Sequence, residues 1–255
     1  MQVGFVTFAT FLFCSVGIVF SQEDAHADIR PYVLGNKIRT EGIIDATTTV
    51  VPDLRVFGFD FGEDPDQPYL IGDPGFNASS GSGLQAGSQL RFNVLDLSTY
   101  GLSSNLGYWN GAGTVHFVVP ENSGTLGLSF GANSVTVGSA TGLQSGFALQ
   151  TVAVDGSIHR HLTSTLSAVG TPAEGIYLIG LELLSSDPSV AKSDPFFLVY
   201  NNGLSEAAHE QAIDYVQSQF VATAVPEPSI TAIVLLLAVF SVAIVIRRQK
   251  SQVCS

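Results

Sequence analysis

Val56-Phe57-Gly58-Phe59-Asp60-Phe61 decides how this chain folds. Successive side chains of an extended strand point to opposite faces, so Phe57, Phe59 and Phe61 share one face while Gly58 and Asp60 fall on the other. The same period of two returns in Leu90, Phe92 and Val94, in Val115, Phe117 and Val119, and in Leu126, Leu128 and Phe130. Val135–Val137, Phe147–Val154, Ser157–Leu166, Ile176–Leu184 and Phe196–Tyr200 extend the series. Turn residues separate these runs, as in Glu121-Asn122-Ser123-Gly124, Gly131-Ala132-Asn133 and the hairpin signal Asp155-Gly156. About nine or ten short strands without intervening helices predict an all-β fold, an antiparallel β-sandwich or jelly roll, because layered sheets hide their edges.

Two stretches depart from the alternation. Gly75–Gly87 is rich in Gly and Ser and reads as a long flexible loop. Ser205–Phe220 changes period: Ser205 suits an N-cap, Glu206 suits the positive end of a helix, and Ala212, Ile213, Val216 and Phe220 recur at helical spacing. One C-terminal helix is therefore expected.

The 255-residue chain carries a formal net charge of −12. Glu23, Asp24 and Glu227 balance Arg247, Arg248 and Lys250, so the body between the two ends keeps that whole charge. An acidic body repels phosphate backbones and anionic headgroups, which argues against nucleic-acid binding. Both cysteines, Cys14 and Cys254, lie outside the body, so its stability must come from a core and not from disulfides.

The ends carry an address. Residues 1–27 combine the apolar core Val3–Phe20 with the small-residue site Ala25-His26-Ala27, the pattern of a signal peptide cleaved before Asp28. The expected body is 28–222, followed by a linker over 223–229 that contains Val225-Pro226-Glu227-Pro228. The uncharged apolar run 230–246 is near the shortest length for a transmembrane helix. Arg247 and Arg248 open the basic tail 247–255, which the positive-inside bias keeps cytoplasmic.

Val225, Pro226, Glu227 and Pro228, the short span, and Arg247 with Arg248 together resemble the PEP-CTERM sorting signal of exported bacterial envelope proteins. The resemblance covers about the last tenth of the chain. It implies an exosortase-type membrane peptidase as partner and anchoring in the inner membrane before processing. It further implies delivery to the cell surface or an extracellular, exopolysaccharide-containing matrix. The body is similar, more loosely, to all-β surface proteins that carry the same tail, through Phe59–Pro65, Gly72–Asn77, Asp155–His161 and Ser193–Phe196.

Three sets of residues are candidates for a site. Asp60, Glu63, Asp64, Asp66 and Asp73 form the densest group of hard oxygen ligands, the kind that calcium prefers, although their spacing is not that of an EF-hand loop. His159 and His161 project from one face of a strand, and with a third imidazole such as His116 they would hold a metal. Tyr108-Trp109, between Gly107 and Asn110-Gly111, reads as a turn displaying two flat rings to a sugar or protein partner, or plugging the end of the sheets. There is no nucleophile elbow, His-Glu-x-x-His run, phosphate loop or cysteine nucleophile in the body, so no enzyme is expected. Glu174 and Glu182 would matter as a glycosidase pair only if they converge in space. The expected role is structural or carbohydrate- and matrix-binding. A secreted polysaccharide-active enzyme and a metal-binding β-module are the alternatives.

Overall fold

The computed structural model describes residues 28–44 and 49–221. The expected signal peptide (1–27), the expected linker with its Pro-Glu-Pro box (223–229), the apolar run (230–246) and the basic tail (247–255) lie outside them. Among the described residues no helix is long and apolar enough to cross a membrane.

The strands, in chain order, are β1 (Arg30–Leu34), β2 (Lys37–Ile44), β3 (Thr49–Val51), β4 (Val56–Asp60), β5 (Leu70–Ile71), β6 (Gly75–Ala78), β7 (Gln89–Val94) and β8 (Gly107–Trp109). They continue as β9 (Thr125–Phe130), β10 (Asn133–Val137), β11 (Gln144–Thr151), β12 (Ile158–His161), β13 (Thr163–Ser167), β14 (Gly175–Ser185) and β15 (Phe196–Asn202). A single α-helix, α1 (Glu206–Val216), follows, and its last turn widens into a π-helical segment over Gln217–Val221. The fold is all-β with one C-terminal helix, as the alternation and the Ser205 cap signal require.

Two sheets line one core. The larger has the order β11-β7-β14-β15-β4, with β8 also paired to β14; the smaller has the order β10-β9-β13-β5. Phe57, Phe59, Phe92, Leu181, Leu198 and Tyr200 of the first meet Leu126, Leu128, Val137 and Leu166 of the second in a single buried cluster. Burying one such side chain stabilises the fold by about 1.5–3 kcal/mol. The opposite face of the larger sheet is also covered. Val56, Ile176, Leu178, Phe197 and Val199 pack there against Ala212, Ile213, Val216 and Phe220 of the C-terminal helical segment. Burial on both faces explains why β14 is a nearly continuous apolar run and not an alternating one.

Five expectations need correction. The larger sheet is mixed: β4 runs parallel to β15, with Phe57 opposite Leu198 and Phe59 opposite Tyr200. No hairpin joins the two strands, so nothing imposes antiparallel pairing, and α1 covers the parallel edge. Ser157–Leu166 is two strands, because the chain changes sheets at Leu162: β12 pairs β6, whereas β13 pairs β9 and β5. The Asp155-Gly156 turn is tight, closed by Ala153 N–H to Ser157 O at 3.0 Å, but its two arms then pair with different neighbours. Val115–Val119 forms no ladder beyond an isolated bridge from Val118 to Tyr108, and Gly75–Gly87 opens with β6 instead of looping freely.

Candidate functional site

The acidic stretch does not converge on one cation. Asp64 folds back on its own turn, its Oδ1 accepting the Asp66 N–H at 2.9 Å and its Oδ2 accepting from Gln67 Nε2 at 3.3 Å. Glu63, Asp64 and Asp66 are all exposed. Asp60 and Asp73, at the two ends of the stretch, join two different clusters.

Asp73 meets Asp28 and His161. The ring Nδ1 of His161 lies 3.7 Å from Asp73 Oδ1, and both side chains are substantially exposed. Gly75 creates the space, because a side chain there would overlap the Asp28 carboxylate and the His161 ring. His159 and His161 do share a face, their rings 5.1 Å apart and edge-on. His116 is exposed and belongs to neither cluster, so the three-imidazole arrangement is not assembled.

Asp60 ends β4 on the face that carries α1. There it meets Glu206 in the first turn of the helix and His209 one turn later. One potential ligand atom from each of the three lies within 4.8 Å of the other two. Three features bring them together. Gly58 leaves room for the helix: a Cβ there would stand 2.8 Å from Ile213 Cδ1 and 3.1 Å from the His209 ring. The ring is only 2% exposed, and its Nε2 lies 3.0 Å from the Val199 carbonyl. Ser205 caps the helix, its side chain accepting the Ala208 N–H and so fixing where the first turn begins.

Tyr108 and Trp109 do not form a displayed platform. They lie in β8 at 4% and 3% exposure, with the Tyr108 hydroxyl donating to Glu174 O at 2.8 Å and Trp109 Nε1 donating to Ala112 O at 3.2 Å. Burial pushes the Tyr108 hydroxyl above its ordinary pKa. They plug the sheet because Ile176–Leu178 of β14 needs a partner strand on that side.

Glu174 and Glu182 do not form a hydrolytic pair. They sit eight residues apart along an extended segment, on the order of 25 Å, whereas a glycosidase pair needs roughly 5–9.5 Å. Glu182 is buried and accepts from Asn93 Nδ2 at 3.0 Å and Lys192 Nζ at 2.7 Å, a structural ion pair. A groove of about 1070 Å³ lies between β3 and α1, with Val50, Leu54, Val56, Val115, Ile213 and Tyr215 in its lining. The aliphatic side chains among them suit an apolar occupant better than a polysaccharide.

The chain matches no protein-family model, no curated protein and no solved structure. The residues that sequence reasoning missed are Glu206 and His209. Their spacing of three residues on a helix puts them on one face, and that signal was present. Their convergence on Asp60 depends on a contact between distant parts of the chain.

Proposed function

We propose that this chain is an exported envelope protein whose acidic β-sandwich body is a structural component of the cell surface or extracellular matrix. Its C-terminal tail acts as a removable PEP-CTERM address. The observation that carries this reading is the order of the tail: Val225-Pro226-Glu227-Pro228, an uncharged apolar run, then Arg247-Arg248. An exosortase-type membrane peptidase is the expected partner, and the inner membrane holds the unprocessed chain. A structural role is favoured over carbohydrate binding because the two rings best suited to a sugar, Tyr108 and Trp109, are buried.

The test is expression of the full chain in a bacterium with an exosortase-type peptidase and in the same strain lacking it. Intact masses are then measured in cytosolic, membrane and surface fractions. The reading requires a surface form that has lost the residues beyond the Pro-Glu-Pro box, and accumulation of the unprocessed chain in the membrane of the deletion strain. Full-length protein soluble in the cytosol of both strains, with both ends intact, would overturn it.

A further inference from the structure

The geometry points to a divalent-cation site of the zinc class formed by Asp60, Glu206 and His209, clamping α1 to β4. Val199 O only accepts hydrogen bonds, so the ring nitrogen facing it at 3.0 Å, Nε2, must carry the ring proton. With the proton on Nε2, Nδ1 is the ring nitrogen left to ligate a metal. That atom is buried without a hydrogen-bond partner and lies 3.5 Å from Asp60 Oδ1. Nδ1, the Asp60 carboxylate and the Glu206 carboxylate each offer one ligand atom, all within 4.8 Å of one another, a donor set that a divalent cation takes.

The 3.5 Å between Nδ1 and Asp60 Oδ1 is close to the edge of a tetrahedron built on metal–ligand bonds of about 2.0–2.1 Å, which is roughly 3.4 Å. The Nε2 bond to a backbone carbonyl is the kind of outer contact that fixes the tautomer and orientation of a metal-ligating histidine. One imidazole and two carboxylates select a transition cation over calcium, which takes six to eight oxygens. Glu206 is exposed, so the site opens to solvent and an ion can enter.

The probe is zinc alone, added to the full chain purified in detergent and stripped with chelator. Equilibrium dialysis with elemental analysis should find one zinc per chain. A saturating excess of about 100-fold over Kd should raise the melting midpoint by about 5–10 °C. Asp60→Asn and Glu206→Gln should each lose at least tenfold in affinity and most of that shift. Glu206 is an exposed first-turn residue, so its variant keeps the fold should Asp60→Asn not do so. Asp73→Asn with His161→Ala, at the other cluster, should retain the bound equivalent. No bound zinc in the unaltered chain, binding that survives both Asp60→Asn and Glu206→Gln, or binding lost with Asp73→Asn and His161→Ala would each overturn the assignment.

Discussion

Replacing Gly58 with alanine tests whether α1 is seated on β4 as described. The added Cβ would lie 2.8 Å from Ile213 Cδ1, 3.1 Å from His209 Cε1 and 3.2 Å from His209 Nε2. The isoleucine methyl is the end of a flexible side chain and can turn away. The imidazole is less free, because Nε2 is held by Val199 O and the ring is buried. Overpacking of this kind costs about 1–3 kcal/mol, and the lower entropy of an unfolded alanine returns about 0.4–1 kcal/mol. The net loss should be about 1–2 kcal/mol, read in a urea melt, with a fall in thermal midpoint of about 2–8 °C.

Two further variants isolate the cause. Gly127→Ala, in β9, would meet nothing closer than Thr165 O at 3.7 Å, so it should be neutral or slightly stabilising. Ile213→Val removes the clashing methyl and costs about 0.5–1.5 kcal/mol alone, but combined with Gly58→Ala it should cost less than the sum. A Gly58→Ala protein as stable as the parent, or additive behaviour in the double variant, would refute the seating of the helix on this strand.

The remaining predictions concern pH. Asp96, Asp155 and Asp187 are held below the ordinary carboxylate range: Asp96 and Asp187 chiefly by the backbone N–H groups of Ser98 and Ser189, Asp155 chiefly by the Ser157 hydroxyl. Their stabilisation is present above about pH 4 and is lost as pH falls through the lower folded values, so Asp155→Asn should flatten the acid limb of a stability profile while leaving the Asx turn formed. Burial raises the Tyr177 and Tyr200 hydroxyls well above their ordinary range, so their contribution is full below about pH 10 and is lost as pH rises beyond it. Ser164 already donates to Asp73 O, so the Tyr200 hydroxyl donates to Ser164 Oγ at 3.0 Å; Tyr200→Phe should cost about 0.5–1.5 kcal/mol at neutral pH and shrink the alkaline loss, both measured by denaturant melts.

What was legible in the sequence is what a short window determines. Phe57 and Phe59 of β4 and Phe61 just beyond it do lie in one buried cluster, and Ser205 with the spacing of Ala212, Ile213, Val216 and Phe220 placed the helix. Asp155-Gly156 marked a local turn in the same way, whereas the equivalent Asp-x-Ser turns at Asp96 and Asp187 are known from the structure. Strands of two to four residues such as β5, β6 and β8 carry too few positions for alternation to register. The parallel pairing of β4 with β15 joins segments more than a hundred residues apart, which no window contains. That pairing, with the helix that follows β15, turns Asp60 away from its acidic neighbours and toward His209. The acidic stretch therefore read as one group of carboxylates when its two ends join separate side-chain clusters.

The last described turn of the same helical segment is also held in place. Phe220 stacks on Tyr100 at 4.9 Å and meets Phe197 edge-on at 5.5 Å, while Arg55 Nη2 donates to Val221 O at 2.8 Å. The last described residue is thus tied to the segment leading into β4, and Val225 follows only four positions later. Among the described residues, every buried side chain that holds the helix to the sheet precedes the Pro-Glu-Pro box. The grip of Phe220 and the His209 seat both precede Val225, so removing the residues from Val225 onward should leave the contacts of α1 among the described residues in place.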